Sequence, residues 1–173
     1  MGFLNRRSQM QDQLDGQGDI EMKVSSFSQI ESDFVERVHR AVWCSVATLD
    51  TRNRVRSRLL HTIWEGETGW VATRRLSLKA KHLEHNPYVS LAYIADVTSP
   101  VYVDCTAEWQ EDLASKQRIW EMFKAAPPPL GYDPAPFFGS ADSPDFGLLK
   151  FTPWRIELLD IADKDDPRRI WHR

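Results

Sequence analysis

A hydroxyl-rich and basic segment lies where a predicted strand runs into a predicted helix. Residues 70–73 have the composition of a short strand, and helical spacing starts at Leu76. Ser77 lies near the start of this helix, where backbone N–H groups are unpaired and the helix dipole is positive, and Lys79 adds a point charge. A phosphate bound there would meet hydroxyl, amide and ammonium groups together. Spacing alone also allows a simple N-cap and a surface lysine.

Four arginines alternate along another predicted strand: Arg52, Arg54, Arg56 and Arg58. Residues two apart on a strand share a face, so at least the last three project together. Like charges on one face repel each other unless solvent or an anion screens them. For Arg52 and Arg54, a solvated barrel exterior and an anion site are equally good interpretations. An anion partner is favoured for Arg56 and Arg58, which lie deeper in the strand.

Other side chains with ligand chemistry are less distinctive. His61 follows the arginines on the same strand, where a hydrogen-bonded barrel histidine is favoured over a residue that faces a ligand. Tyr132, Phe137 and Phe138 lie in a proline-rich segment and would suit either a cover over a planar ligand or a subunit contact. Both interpretations of this segment stay open.

Several kinds of chemistry lack support. His82 and His85 are three apart on one predicted helix, but no cysteine or carboxylate cluster completes a metal site, so no metal is predicted. No Ser-His-Asp order and no paired carboxylates indicate a hydrolase. No glycine-rich fingerprint follows a strand, which argues against a nicotinamide or ATP fold.

The residue patterns predict a mainly β protein with peripheral helices. Strands are expected at residues 42–50, 54–64, 70–73, 88–94, 101–110 and 148–160. Helices are expected from Ser28 to about Val42, over residues 76–86, and from Asp112 to about Lys124. A proline-rich loop without regular structure follows, over residues 125–146. Short turns between most strands indicate an antiparallel sheet that closes into a small barrel.

The chain is expected to form one folded domain with two terminal segments. Residues 1–24 are polar and aperiodic and are predicted to be a flexible tail. The domain spans residues 25–161, and residues 162–173 are a charged extension that frays or forms a short helix. A length of 173 residues suits a single core.

Composition limits partners and location. The net charge of −3 implies no affinity for nucleic acid or acidic membranes, and no apolar run approaches the length of a membrane helix. Cys44 and Cys105 lie in apolar strand-like runs and are interpreted as buried free thiols. These features favour the cytoplasm.

Five segments together resemble the pyridoxamine 5′-phosphate oxidase-like FMN-binding split barrels. They agree with the family in order and separation, and Asn86-Pro87 before a β-rich run is a frequent family feature. The segments are residues 46–50, 56–61, 70–73, 77–79 and 83–91. The resemblance implies a six-stranded antiparallel split β-barrel and a homodimer with two cofactor grooves between the subunits.

The same resemblance assigns cofactor contacts by position. It implies that Thr73, Ser77 and Lys79 contact the FMN phosphate, with Arg74 beside them.

Further contacts come from the arginine strand. The resemblance places Arg56 or Arg58, and the backbone of Leu59 and Leu60, beside the phosphoribityl chain or the isoalloxazine ring. It does not distinguish the two arginines.

The sequence differs from the oxidases proper at three places. Leu78 replaces a second phosphate-binding cation, for which Arg74 or Arg75 could compensate. Residues 99–100 replace a flavin-contacting Gln, and no equivalent of the family's C-terminal Trp and Arg follows Trp154-Arg155. The resemblance therefore implies FMN binding without predicting vitamin B6 oxidation.

Four functions are compatible with these features. The favoured one is an FMN-dependent oxidoreductase that transfers hydride to or from a small molecule, with the flavin supplying the redox chemistry. An F420-dependent reductase on the same fold is the second. A flavin-binding or stress-related module without turnover is the third, and an interaction domain without cofactor is the fourth.

Overall fold

The computed structural model describes residues 22–164 and 168–173. Within these ranges the chain forms nine strands and four α-helices. Residues 1–21, most of the predicted tail, lie outside the described residues. No helix within the described ranges is long and apolar enough to span a bilayer.

Three of the helices lie close to where hydrophobic spacing predicts them. Asp112 is the N-cap of the third helix, and its side chain accepts a hydrogen bond of 2.8 Å from the backbone N–H of Ser115, as expected for a capping aspartate. The helices are α1 (Glu31–Ala41), α2 (Leu78–His85) and α3 (Leu113–Ala125).

The fourth helix corrects the prediction for the proline-rich loop. The segment Ala135–Phe138 forms the short helix α4 inside a region predicted to lack regular structure. Pro134 and Pro136 lie at its start, where proline is tolerated because the first helical N–H groups have no partner within the helix.

The strands confirm the mainly β fold class. In chain order they are β1 (Met22–Val24), β2 (Trp43–Leu49), β3 (Val55–His61), β4 (Ile63–Glu65), β5 (Thr68–Arg74), β6 (Tyr88–Tyr93), β7 (Val101–Gln110), β8 (Phe146–Leu159) and β9 (Arg168–His172). Six strands were predicted. The second of them divides at Thr62 into β3 and β4, because the chain changes its pairing partner there.

The sheet forms a barrel that is split at one place. Its strand order is β1-β9-β8-β7-β6-β2-β3, and β5 pairs with both β8 and β4. All pairs are antiparallel except β1 with β9, so the sheet is mixed. Among the described strands, β3 pairs only with β2 and leaves its other edge open towards β5. The edges of β3 and β5 therefore border a cleft that starts at the β3–β4 corner.

Two apolar clusters hold the barrel and its helices. The larger one fills the barrel interior, where Phe34 and Val38 of α1 meet Trp64 and residues of β2, β6, β7 and β8. The smaller one lies between α3 and the sheet, around Ile119, Phe123 and Phe146. Alternation along the strands separates these inward side chains from outward ones, as expected for a half-buried antiparallel sheet.

Both ends of the described chain are more ordered than predicted. Met22–Val24, assigned to the flexible tail, forms β1 and pairs with β9. The C-terminal extension, predicted to fray or form a short helix, instead forms β9, which pairs with β8 from Arg168 to His172. The physical reason is burial, because Ile170 and Trp171 pack inward as core residues.

Candidate functional site

Of the three residues predicted to bind phosphate, Thr73 and Ser77 both lie within hydrogen-bonding distance of Lys79. Lys79 Nζ donates to Thr73 Oγ1 at 2.7 Å and to Ser77 Oγ at 3.0 Å. Ser77 is the N-cap residue of α2, and its hydroxyl donates to the carbonyl oxygen of Arg74 instead of capping the helix. Thr73 is the second-last residue of β5, and its side chain is buried. The turn between β5 and α2 thus gathers an ammonium group and two hydroxyls.

Positive charge accumulates around this cluster. Burial lowers the pKa of Lys79, and the nearby charge of Arg58 lowers it further. Neither residue forms an ion pair with a carboxylate of the described residues. Asp145, whose charge acts in the opposite direction on Lys79, is paired with Arg74. An anion at this position would offset both the desolvation of Lys79 and the repulsion between Lys79 and Arg58.

Arg58 reaches the same region from β3. Its Nη1 donates to Thr48 Oγ1 at 2.8 Å, and its Nη2 lies 3.3 Å from Nδ1 of His82 on α2. Thr48 Oγ1 lies 3.1 Å from the same imidazole nitrogen. Burial and the charge of Arg58 lower the pKa of His82, which favours the neutral ring that can accept from the guanidinium.

The other arginines of the alternating row lie around Asp50. Arg54 Nε and Arg56 Nε donate to Asp50 Oδ2 at 3.0 and 3.3 Å. Asp50 Oδ1 accepts the backbone N–H groups of Arg52 and Arg54. The hydrogen bond from the Arg54 backbone is the main reason why the pKa of Asp50 lies far below its usual range. A carboxylate of the chain itself therefore balances Arg56, and the geometry favours Arg58 as the arginine for a bound anion.

The two arginines beside the turn differ in their partners. Arg74 is exposed and paired with Asp145. Arg75 Nε donates to Glu111 at 2.8 Å, and its guanidinium stacks 4.7 Å from the ring centre of Trp109. Arg75 is thereby directed away from Lys79, and Arg74 is the nearer candidate to compensate for Leu78.

A cleft of about 340 Å³ lies between β3 and β5. Leu59 and Leu60 line its β3 side, and Ala72, next to Thr73, lines its β5 side. The remaining lining residues are Val42, Trp43, His61, Pro129, Tyr132, Phe137 and Phe138.

The proline-rich loop packs over this cleft within the same chain. The Tyr132 ring lies 5.0 Å from His61 and 5.9 Å from Phe137, between ring centres. Burial raises the pKa of Tyr132 to about 12, so the side chain is a neutral phenol. The position of this segment over the cleft suits a cover over a planar ligand, and the exposed Phe137 is equally available for a subunit contact.

The hydrogen bonding of His61 differs from the one that the sequence favours. The side chain is buried, and its Nε2 has no hydrogen-bond partner. Burial lowers the pKa of His61, while a hydrogen bond to the Leu130 carbonyl acts in the opposite direction. A hydrogen-bonded histidine was favoured, and this prediction is wrong for one ring nitrogen, because Nε2 is buried without a partner.

Neither the histidine pair nor the cysteines form a metal site. His82 contacts Thr48, and His85 Nε2 lies 3.1 Å from Asn53 Oδ1. Within the described ranges no group of three or more His, Cys, Asp or Glu side chains could hold a metal ion. Cys44 and Cys105 are buried free thiols.

Fold and site together define a split β-barrel protein with a cationic turn beside an apolar cleft. Residues 30–160 match the sequence family described as pyridoxamine 5′-phosphate oxidase, and the chain belongs to this family. No curated protein matches the chain.

Solved structures share the fold at low sequence identity. A Clostridium acetobutylicum protein related to general stress protein 26, of the pyridoxinephosphate oxidase family, superposes with TM-score 0.66 and 17% identity over 83% of this chain and 94% of its own. A pyridoxamine 5′-phosphate oxidase-related, FMN-binding protein from Nostoc punctiforme superposes with TM-score 0.61 and 17% identity over 83% of this chain and 91% of its own. An F420 reductase superposes with TM-score 0.53 and 15% identity over 70% of this chain and 93% of its own.

Sequence reasoning missed Thr48 as a partner of Arg58. Thr48 and Arg58 are ten residues apart in the sequence, but β2 pairs with β3 so that both side chains share one face of the sheet. The signal available was the hairpin itself, since alternation places residues 46, 48, 56 and 58 on the same side.

Proposed function

We propose that the chain binds FMN and transfers hydride between this cofactor and a small molecule. The observation that carries the proposal is the convergence of Thr73 and Ser77 on Lys79, with the charge of Arg58 close by. An apolar cleft is lined by Ala72, the residue before Thr73. This donor set suits a phosphate monoester, because charged donors and hydroxyls are gathered and no described carboxylate pairs with Lys79 or Arg58.

Each residue has a distinct role in this proposal. Lys79 and Arg58 neutralise the phosphate, and Arg74 adds charge from the rim. Thr73 donates a hydroxyl hydrogen bond to the phosphate, and Ser77 does so once its hydroxyl proton turns from the Arg74 carbonyl. Leu59 and Leu60 flank the isoalloxazine ring from β3. The bound flavin supplies the two-electron chemistry, and the chain supplies anchoring, orientation and a cleft that excludes water.

F420 is the second cofactor compatible with the fold, as the similarity to an F420 reductase indicates. The compact pairing of Lys79 with Ser77 and Thr73 favours FMN, whose phosphate is a terminal monoester with three oxygens for three donors. The two buried free thiols suit a reducing compartment such as the cytoplasm.

The cofactor spectrum tests this proposal directly. The purified protein is expected to be yellow with two flavin absorption bands, and denaturation is expected to release FMN. Reduction by NADH or NADPH, followed by reoxidation with an added acceptor, would distinguish an enzyme from a flavin-binding module. A colourless protein that responds to neither FMN nor F420 on titration would disprove both cofactor assignments.

Substitutions of Arg58 and Arg56 are expected to change FMN affinity by different amounts. Arg58→Ala is expected to weaken FMN binding by about tenfold, because a charge-assisted hydrogen bond to the phosphate is lost. Arg56→Ala is the matched control, since Asp50 already balances its charge, and its FMN dissociation constant should change less than about threefold. Fluorescence titration of the apoproteins measures both, and the reverse ranking would place Arg56 at the phosphate.

We propose further that two copies associate through the outer face of the sheet. This face exposes large apolar side chains on neighbouring strands: Trp43, Val55, Leu59, Tyr88 and Trp154. Several large exposed apolar side chains on one face of a sheet are a feature of protein–protein contacts. Because Leu59 also lines the cleft, such a dimer would place the cofactor next to the subunit boundary.

The association state follows from sedimentation of the intact protein. The mass is expected to be twice the chain mass of 20.1 kDa. Val55→Asp should shift the protein towards the single-chain mass, because it places a charge in the proposed contact. Ile161→Asp replaces an equally exposed apolar residue outside this face and should leave the mass unchanged. A wild-type protein of 20.1 kDa would contradict the dimer.

A further inference from the structure

His82 lies where three separate elements of the fold meet at one guanidinium group. Its ring is half-buried on α2, and Nδ1 lies 3.1 Å from Thr48 Oγ1 of β2 and 3.3 Å from Arg58 Nη2 of β3. Thr48 is buried, and its Oγ1 accepts a hydrogen bond of 2.8 Å from Arg58 Nη1. Arg58 therefore has two polar contacts within the chain, one on β2 and one on α2.

The donors and acceptors of this group define where the protons lie. A guanidinium has donors and no acceptor, so Nδ1 of His82 directs a lone pair towards Arg58 Nη2. The Thr48 hydroxyl accepts from Nη1, and its own proton is available for the same imidazole nitrogen. Burial and the charges of Arg58 and Arg56 lower the pKa of His82 and outweigh the opposite effect of Asp50. The ring is therefore neutral, with its proton on Nε2.

These contacts restrict the movement of Arg58. An arginine side chain has several rotatable bonds, and ordering it when a ligand binds costs conformational entropy. Thr48 and His82 each hold one of its terminal nitrogens in the protein without ligand. No described carboxylate pairs with the guanidinium, so its other N–H groups are available to an anion. A group that is ordered beforehand loses less entropy on binding.

A nearby cation makes this restraint necessary. The charge of Arg58 contributes to the lowered pKa of Lys79, which shows that the two cations repel each other across the site. Without a contact on its own side, an arginine would relieve this repulsion by turning towards solvent. The acceptors on Thr48 and His82 oppose that movement and keep the guanidinium in the region assigned to the phosphate.

We infer that His82 is a positioning residue for the cofactor phosphate: together with Thr48, it holds the Arg58 guanidinium in place before the phosphate binds. It thereby raises FMN affinity without contacting the cofactor. The inference deepens the proposed function and rests on it for the identity of the anion. Its effect passes entirely through Arg58, which distinguishes His82 from the residues that bind the phosphate themselves.

Substitutions on α2 test this role by fluorescence titration of the apoproteins with FMN at about pH 8, where the phosphate is a dianion. His82→Leu removes the acceptor and should raise the FMN dissociation constant about three- to fivefold, less than the loss of Arg58 itself. His82→Asn places an amide oxygen where Nδ1 lies and should restore the wild-type constant within about twofold. His85→Leu is the matched control, because His85 contacts Asn53 and not Arg58.

A double-mutant cycle separates positioning from a general effect on stability. In an Arg58→Ala protein, the further change His82→Leu should alter the FMN dissociation constant by less than about twofold, because the guanidinium that it positions is gone. A loss caused by a weakened fold would persist in that background. Thermal unfolding of each apoprotein measures such a loss independently.

The contact between His82 and Arg58 is measurable without any cofactor. NMR titration of the His82 ring in the apoprotein should give a pKa below the ordinary value for histidine. In Arg58→Ala the pKa of His82 should be higher than in the wild type, because a positive charge and a donor beside Nδ1 are removed.

The outcomes separate this inference from the proposed function. The inference would be overturned, with FMN binding intact, by wild-type affinity in His82→Leu or by a loss that persists in the Arg58→Ala background. Failure of His82→Asn to restore binding, or an unchanged pKa of His82 in Arg58→Ala, would also overturn it. A wild-type protein that shows the pKa difference without binding FMN would contradict the proposed function and support the positioning of Arg58 by His82.

Discussion

Lys79→Ala is expected to weaken FMN binding by about 10- to 100-fold. The Lys79 ammonium is the charged donor at the centre of the β5–α2 turn, within 3.0 Å of both Thr73 Oγ1 and Ser77 Oγ. Hydrogen bonds to charged groups contribute about 1.5–3 kcal/mol, and the affinity loss is that energy converted to a ratio. Equilibrium dialysis or fluorescence titration of the apoprotein measures the change.

The same helix provides a matched control for Lys79. Lys81 is an exposed lysine two residues further along α2, and Lys81→Ala should leave FMN affinity within about twofold because its ammonium is not part of the turn. Thermal unfolding of both apoproteins separates lost phosphate contacts from lost stability. FMN affinity that is equal in the two variants would mean that the phosphate binds elsewhere.

Trp171→Ala is expected to lower the free energy of unfolding by about 3–5 kcal/mol, the usual cost of truncating a buried tryptophan or phenylalanine. Trp171 is 4% exposed in the main core. Its ring meets Phe27 edge-on, with 5.6 Å between ring centres. Since β9 pairs with both β8 and β1, the truncation also weakens the contact that holds β1. Urea denaturation followed by tryptophan fluorescence and circular dichroism gives the free energy.

His172 serves as the control for Trp171. It is the next residue of β9 but points outward and is exposed. His172→Ala should change the free energy of unfolding by no more than about 0.5 kcal/mol, as is usual for surface sites. If Trp171→Ala behaved like His172→Ala, the C-terminal segment would be the loosely attached extension that its charge pattern predicts.

The mainly β architecture could be predicted because its signals are local. Alternation marks β7, turn residues mark the hairpins, and Asp112 marks the start of α3. The junction of β5 and α2 is local in the same sense, since Thr73, Ser77 and Lys79 lie within seven residues of chain. Periodicity and capping depend on neighbours in sequence, so they can be recognised without knowledge of the fold.

The C-terminal strand could not be predicted for the opposite reason. Its charged flanks indicate an exposed end, and a strand of five residues has little intrinsic stability. It forms because β8 offers an unpaired edge and the core offers space for Trp171. Neither feature is visible in the segment itself.

By itself, the sequence determined the fold class, the family resemblance and the turn that carries Thr73, Ser77 and Lys79. Only the tertiary structure favours Arg58 over Arg56 as the arginine for an anion, because Asp50 lies at Arg56 whereas Thr48 and His82 lie at Arg58. The cleft likewise exists only once β3 and β5 diverge. Local patterns fix which residues alternate, whereas pairing between distant strands fixes which side chains meet.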